Sequence, residues 1–433
     1  LVKWGTMSVI VRFPPSPTGP LHLGGARTAL FNYLFAKQNG GKIFLRLEDT
    51  DRARSKSEFA ENILESLKWL GLEFDNKEPI RQSERSNLYK DTLEKLISGG
   101  AAYISKETTG DRAEVIRLKN PGRKIVFRDL IRGEITFDTA ELGDFVIAKS
   151  LAEPLYHLAV VVDDLELGVT HVIRGEDHIS NTPRQLLLIE ALSGKAPLYA
   201  HIPLILAPDR SKLSKRYGAV STLAYRDEGY LPEALVNYLA LLGWNPGTDR
   251  EIFSLLELVK EFNLSKVQKG GAIFNQDKLN WLNREYLKNL PQDKWSTWLP
   301  GDADHEMFLK ILPILKERIN VLSELKNLTT KEGEFGYFFQ TPKPSKELLG
   351  DVAPLKEVVG LLSGLMATNF TMENVKGAVF PLADRLGRKE VLWPLRLALS
   401  GKERSPDPFT IAGILGKEEV LKRLENALKI SEK

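Results

Sequence analysis

The sequence predicts a multi-domain α/β protein that finishes in an all-helical region, and three observations carry that prediction. Strand, helix and strand patterns alternate over the first ~70 residues; short strands with turn signals replace them between about residues 75 and 156; and from residue 232 onward nearly everything reads as helix. A chain of 433 residues also has room for roughly three domains of about 150 residues each.

Residues 8–13 (SVIVRF) are an apolar, β-branched run that stops at Pro14 and Pro15, as a buried strand entering a loop does. Residues 26–37 carry apolar side chains at helical spacing, Gly40 and Gly41 end them, and residues 43–47 follow as a second strand. Strand, helix and strand in this order begin a parallel sheet. Residues 57–70 are amphipathic, with Phe59, Ile63, Leu67 and Leu70 on one face. Glu58 and Glu61 suit the positive end of that helix, and Gly71 stops it. Between about Asp75 and Tyr156, strands such as 133–137 and 145–148 read as an inserted subdomain. The alternation then resumes: apolar runs at 158–163, 169–174 and 202–206 read as strands around a helix at 183–192. Residues 232–242 form a helix with Pro232 in its first turn and Gly243 beyond its end. Residues 417–429 place Val420, Leu421, Leu424 and Leu428 on one face, and 341–345 (TPKPS) is the candidate linker.

Lys and Arg (60) nearly balance Asp and Glu (57), leaving a formal charge of +3. That excludes a protein held to nucleic acid by bulk charge, so such a partner has to be met by local basic patches. The absence of cysteine excludes disulfides, a thiol nucleophile and any Cys-built zinc site. The most apolar strip, 155–162, is interrupted by His157 and followed by Asp163 and Asp164, which argues against membrane spanning. Residues 1–6 precede Met7, which reads as a natural start, and are set apart as an expression remnant.

Two loops carry the chemistry. Residues 14–25 (PPSPTGPLHLGG) deliver His22, Gly24 and Gly25 to the expected start of the first helix. Free N–H groups and the helix dipole attract an anion there, and glycine lets a phosphate approach the backbone. Neither G-x-x-x-x-G-K-[ST] nor G-x-G-x-x-G occurs, and alone the segment reads as a Pro/Gly turn with a surface histidine. The second segment, 209–218 (DRSKLSKRYG), has four basic residues and alone reads as a solvated charged face.

Together these loops resemble the two-part signature of class I aminoacyl-tRNA synthetases. The chain resembles the bacterial glutamyl-tRNA synthetases in P-S-P-T-G-x-L-H-x-G at 15–24, R-x-E-D-T-D at 46–51, R-Q-S-E-R at 81–85, V-V-D-D at 161–164, V-I-R-G-E-D-H at 172–178 and K-L-S-K-R at 212–216. E-G-Y-L-P-E-A-L at 228–235 and F-N-Q-D-K-L-N-W-L-N at 274–283 extend the likeness, which thins after Tyr286. The resemblance implies a Rossmann-type class I catalytic domain with a small inserted α+β acceptor-end domain, followed by an all-α anticodon-binding region. Its implied boundaries are 7–77 and 157–193 for the two catalytic halves, 78–156 for the insert, 194–291 for a stem-contact domain carrying the K-L-S-K-R loop, and 292–433 for the anticodon domains.

The resemblance implies ATP-dependent activation of L-glutamate and transfer to the 3′ end of tRNA(Glu), with tRNA(Gln) left open as a second acceptor. It assigns His22, Lys212 and Lys215 to catalysis, where negative charge builds on the triphosphate. It assigns Pro15, Thr18, Gly19, His22, Gly24, Gly25, Lys212, Leu213, Ser214 and Lys215 to ATP, which brings Mg2+ on its phosphates. Arg12, Ser16, Glu48, Tyr156 and Arg174 match positions lining the glutamate pocket, where arginine forks suit carboxylates. A cytoplasmic monomer without zinc is expected. Arg318, within the Lys316 to Arg318 cluster, matches an anticodon-reading arginine; that cluster and Arg385 to Lys389 read equally as solvated helix faces.

Two departures stand out. Val160 occupies a place where some relatives have Asn, and only about ten residues join Tyr103 to Val115 where many relatives carry a longer insert, sometimes with a zinc knuckle. The alternatives are a synthetase-like enzyme that glutamylates a tRNA base, a relative that lacks the anticodon domain; a glutaminyl-tRNA synthetase, whose C-terminal part is β-barrel; and an inactive tRNA-binding regulator. Residues 292–433 and their helical pattern count against the first two, and intact His22, Lys212 and Lys215 against the third.

Overall fold

The computed structural model describes residues 8–107, 114–211, 213, 221–299, 304–330 and 332–432. It divides into two compact units, Leu1–Tyr286 and Leu287–Lys433.

The first unit opens with strand β1 (Ile10–Phe13), helix α1 (Leu23–Gln38), β2 (Lys42–Leu47), α2 (Ser57–Trp69) and the short β3 (Ile80–Arg81). β1 and β2 run parallel with Val11 opposite Ile43, and β3 continues the sheet with Arg46 opposite Ile80. α1 is apolar nearly all round because it is packed on both sides, and ten of its sixteen residues are buried. After α3 (Ser86–Ser98) come β4 (Ala102–Lys106), β5 (Glu114–Leu118), β6 (Lys124–Asp129), β7 (Gly133–Asp138), β8 (Phe145–Ser150) and β9 (Glu153–Pro154). β4, β5, β8 and β9 form an antiparallel sheet, while β6 and β7 form a hairpin.

The alternation resumes with α4 (Tyr156–Glu166), β10 (His171–Gly175), α5 (Thr182–Ala191) and β11 (Leu198–Ile202). β10 and β11 are parallel, and the β6–β7 hairpin joins them where Tyr199 pairs with Asp129. Thr170 N donates to Ile10 O at 2.9 Å, and Ile10 N donates to the Thr170 hydroxyl at 2.8 Å, which sets β1 beside β10. Through that contact the two sheets, β3-β2-β1 and β10-β11, lie edge to edge in the order 3-2-1-10-11 of a doubly wound fold, which reverses between β1 and β10. The unit ends with β12 (Ile205–Leu206), α6 (Thr222–Asp227), α7 (Pro232–Leu241), α8 (Leu255–Glu261), β13 (Ala272–Ile273) and α9 (Gln276–Lys288).

Residues 158–163, read from sequence as a strand, lie inside α4. A short apolar run fits a buried strand and a buried helix equally well. Here the whole run is buried in one cluster with Leu93 and Leu96 of α3, Ile116 and Leu118 of β5, and Ile147 of β8. Val160 belongs to that core. The insert thus shares a continuous apolar core with α4 and α5, so it is welded to the sheet it interrupts.

The second unit is helical: α10 (Gln292–Ser296), α11 (His305–Arg318), α12 (Glu324–Thr329), α13 (Lys346–Leu349), α14 (Ala353–Ser363), α15 (Met372–Leu386), α16 (Arg388–Ser400) and α17 (Pro408–Glu432). α17 kinks at Gly416, whose φ of 80° lies in the region that favours glycine. Residues 341–345 are not a linker between units. Thr341 donates to Glu419 on α17 at 3.0 Å and the Ser345 hydroxyl caps α13, so the Pro-rich pattern marks a packed loop and a helix start.

Candidate active site

The strand order reverses where β1 and β10 meet, and at their C-terminal ends lies a cavity of about 440 Å³. Arg12 and Phe13 reach it from β1, Arg174 and Gly175 from β10, Glu48 from just past β2, and Tyr156 from the start of α4. The Pro-rich loop is tied along the end of β2: Glu48 N donates to Pro15 O at 3.0 Å and Lys56 N to Pro17 O at 3.1 Å. That anchoring brings Glu48 and the start of α1 to the same opening.

His22 is the N-cap of α1. Its Nδ1 accepts from Gly25 N at 3.2 Å, so the neutral ring carries its proton on Nε2 and is a donor. Space beside the two glycines is tight. A Cβ at position 24 would meet the His22 ring at 3.2 Å, and one at 25 would lie 2.8 Å from Leu21. Just past the K-L-S-K-R segment, Ser221 pairs with His22 in an isolated bridge, and Thr222 N donates to Leu21 O at 2.8 Å. Within that segment Leu213 lines the cavity. The His22 loop is therefore attached to residues 221–222, which follow the second segment singled out from the sequence.

Beneath the cavity runs a chain of buried charge. Arg12 Nε donates to both oxygens of Asp164, at 3.2 and 3.1 Å, while its Nη1 is buried with no hydrogen-bond partner among the described residues. Arg46, fully buried, reaches Asp164 at 2.7 Å, Glu48 at 3.3 Å and Asp163 at 3.5 Å. Asp163 in turn takes Arg85, Gln82 and the Tyr89 hydroxyl. Burial alone pushes Asp164 upward, but Arg12 and Arg46 together hold it below the ordinary carboxylate range. Glu48 ends higher than usual, because burial outweighs the pull of Arg46 and Arg12.

Arg174 is held differently. Nε donates to His201 Nε2 at 3.1 Å, Nη1 to Gln185 Oε1 at 2.8 Å and Nη2 to the Thr182 hydroxyl at 2.8 Å, and no carboxylate is among these partners. Its guanidinium sits 5.4 Å from the Tyr199 ring centroid, and burial lowers its pKa. Burial likewise pushes the Tyr156 hydroxyl up to about 12, with Glu48 adding to it, and that hydroxyl lies 3.2 Å from His178 Nδ1.

Of the residues expected from sequence, Arg12, His22, Gly24, Gly25, Glu48, Tyr156, Arg174 and Leu213 line this cavity. Pro15, Ser16, Thr18 and Gly19 lie in the loop leading to it and are not among its lining residues. Lys212, Ser214 and Lys215 lie outside the described residues. Arg318 is in the second unit, half exposed and 3.8 Å from Glu334. Arg46, Asp163, Asp164, Thr182, Gln185 and His201 have no role predicted from the sequence. One signal was available: two adjacent aspartates closing an apolar run have to be paired if that run is buried.

Comparison with known proteins decides the family. The family described as "tRNA synthetases class I (E and Q), catalytic domain" matches residues 8–112 and 104–281, and an anticodon binding domain matches 277–428. The glutamate–tRNA ligase of Carboxydothermus hydrogenoformans is 41% identical over 480 residues, covering 96% of this chain and 99% of that protein. The glutamate–tRNA ligase of Thermodesulfovibrio yellowstonii is 42% identical over 470 residues, covering 98% of this chain and 100% of that one. The chain belongs to the glutamate–tRNA ligases.

A crystal structure of the glutamate tRNA ligase from Elizabethkingia meningosepticum, in complex with its amino acid, superposes on this ligase with a TM-score of 0.88 at 34% identity, covering 98% of this chain and 99% of that one. The fold is accordingly a class I catalytic domain followed by an all-helical anticodon-binding region. Similarity continues past Tyr286, where short motifs give out. Neither a base-modifying enzyme nor an inactive regulator is favoured, since the matched relatives are ligases along nearly the whole chain. Among the described residues no helix is long and apolar enough to cross a membrane, and no cluster of three or more His, Asp or Glu side chains is placed to hold a metal.

Proposed function

We propose that this ligase activates L-glutamate with ATP in the cavity between β1 and β10 and transfers the glutamyl group to the 3′ end of tRNA(Glu). The observation that carries the reading is the charge of the cavity wall. Arg12 Nη1 has no partner among the described residues, Arg174 has no carboxylate, and buried Glu48 meets one cation, Arg46, at 3.3 Å. A ligand with one ammonium and two carboxylates completes such a set. Glu48 takes the ammonium, Arg12 and Arg174 take the carboxylates, and Tyr156 and Ser16 add hydroxyl contacts.

In the first step a carboxylate oxygen of glutamate attacks the α-phosphorus of ATP, the bond to the β-phosphate oxygen breaks, and pyrophosphate leaves. In the second, a terminal ribose hydroxyl of the tRNA attacks the glutamyl carbonyl carbon and AMP leaves. His22 Nε2–H and the N–H groups at the start of α1 donate to the phosphates where charge develops. Pro15, Thr18, Gly19, Gly24 and Gly25 shape that approach, and Lys212, Leu213, Ser214 and Lys215 cover the triphosphate. Magnesium accompanies ATP on phosphate oxygens and water and offsets its charge, and no zinc is assigned a role. Residues 78–156 meet the acceptor end, 194–291 the stem, and 292–433, with Arg318, the anticodon. The ligase works as a cytoplasmic monomer.

ATP/pyrophosphate exchange, measured with tRNA present, is expected to depend on glutamate; exchange that ignores glutamate in folded protein sinks the reading. Lys215→Ala is expected to cut turnover far more than it weakens glutamate binding. Charging purified tRNA(Glu) and tRNA(Gln) side by side measures whether the second is also an acceptor.

A further inference from the structure

Arg174 owes its place to a residue outside the cavity lining, its cross-strand neighbour on β11. His201, wholly buried on β11, presents Nε2 to Arg174 Nε at 3.1 Å and Nδ1 to Asp129 Oδ2 at 2.7 Å. A guanidinium Nε can only donate, so Nε2 must accept, and the single ring proton must sit on Nδ1. The Thr182 hydroxyl, 3.3 Å from Nε2, has a proton to give in the same sense. Asp129 is the acceptor that fixes this tautomer. Its own orientation is set by the turn after β6, where Oδ1 accepts from Ile131 N and Arg132 N at 2.9 and 2.8 Å, and Oδ2 accepts from His201 N at 3.0 Å. Arg132 closes the turn by donating to His201 O at 3.1 Å.

We propose that His201, in the neutral Nδ1–H tautomer fixed by Asp129, is the positioning residue that keeps Arg174 in place with its positive charge uncancelled, and so selects an amino acid with an anionic side chain over its amide. The inference rests on the reading that Arg174 takes the side-chain carboxylate of the substrate. A carboxylate in place of His201 would hold the arginine equally well but would cancel the charge that distinguishes glutamate from glutamine. A neutral acceptor orients without neutralising, and Gln185 and Thr182 complete the set with two more neutral oxygens. Arg12, by contrast, spends its Nε on Asp164.

The test separates tautomer from packing. In Asp129→Asn the amide oxygen goes to the Ile131 and Arg132 N–H groups and its NH2 faces both His201 Nδ1 and the His201 N–H, so the backbone contact is lost in the single and the double variant alike. The ring then has to accept there, which moves its proton to Nε2, against Arg174. Asp129→Asn is therefore expected to raise the glutamate KM about tenfold or more, to leave the ATP KM within about threefold, and to narrow the preference for glutamate over glutamine. His201→Gln places an acceptor near Nε2 without needing Asp129, so adding it to Asp129→Asn is expected to bring the glutamate KM back to within about threefold of the starting enzyme. An unchanged KM in Asp129→Asn, or a double variant no better than the single, overturns the proposal. Should Asp129→Asn not fold, His201→Asn, which keeps the Nδ1 contact and loses the Nε2 acceptor, must raise the glutamate KM where His201→Gln does not; equal values overturn it as well. Arg174→Lys is the separate control: if it leaves the glutamate KM unchanged, the role of Arg174 itself falls, whatever His201 does.

Discussion

The two units bury charge in opposite ways. Around the cavity of the first unit Arg12, Arg46, Glu48, Asp129, Asp163 and Arg174 are all buried, and they come from strands and helices far apart in sequence. Among the described residues of the second unit the one buried charged side chain is Arg423, which is satisfied close to home by Glu419 four residues away and by Leu399 O. Other pairs of that unit, such as Arg385 with Glu357 and Arg388 with Asp384, lie on the surface. Desolvating a charge is costly, and a fold tolerates it where the charges are matched across several elements. Buried charge in the first unit is the frame of a binding site; in the second it ties α16 to α17.

The largest effect expected from breaking that frame is Asp164→Ala. It leaves Arg12 and Arg46 buried with one carboxylate fewer between them, and removing one partner of such a set costs about 3–5 kcal/mol. Urea unfolding of the full chain should show the loss in the transition that reports the first unit. A change under about 1 kcal/mol there would mean that water already reaches these arginines.

The extent to which this frame was legible in the sequence follows from distance along the chain. β1, α1 and β2 were readable because each is decided by neighbours a few residues away, and the His22 loop because its glycines and its cap lie within four positions. The placement of Glu48 just past β2 followed from the same local logic. Arg12 with Asp164, Asp129 with His201, and Gln82 with Asp163 are 152, 72 and 81 positions apart, and no periodicity encodes such pairings. The run 158–163 was misread for a related reason. Its valines favour a strand locally, and only packing between α3, α5 and the antiparallel sheet makes it a helix.

A smaller effect separates the units by acid. His171, buried on β10 against Phe35 with ring centroids 4.9 Å apart, is held by burial down to about 4 from an ordinary 6.5. Above pH 6.5 the ring is neutral in both folded and unfolded chains and costs nothing. As pH falls from 6.5 toward 4 the unfolded chain takes up a proton that the folded one refuses, so stability falls by about 1.4 kcal/mol per pH unit. The second unit has one histidine, His305, and it is exposed. Amide exchange at pH 5 against pH 7 should therefore speed up in the first unit more than in the second. Burial pushes His157 and His178 of the same unit down to about 4 as well, so His171→Asn should lower the slope without abolishing it; an unchanged slope would assign the acid sensitivity to those other groups.

The smallest effect is expected from the same change made on the other side of the comparison. Asp384→Ala removes a carboxylate that meets Arg388 at 2.9 Å, as close as the contacts that hold Arg12, yet both side chains are more than half exposed. Water and salt already screen that pair, which limits its worth to below about 1 kcal/mol. Two further terms oppose the loss. Asp384 lies two residues from the end of α15 at Leu386, where the helix dipole disfavours a negative charge, and alanine is the better helix former there. The net change in unfolding free energy should be within about 0.5 kcal/mol of zero and should shrink further at 1 M salt. A loss comparable to that of Asp164→Ala would show that charge pairing at the surface of α15 and α16 supports the helical unit as strongly as buried pairing supports the cavity, and the contrast between the two units would fail.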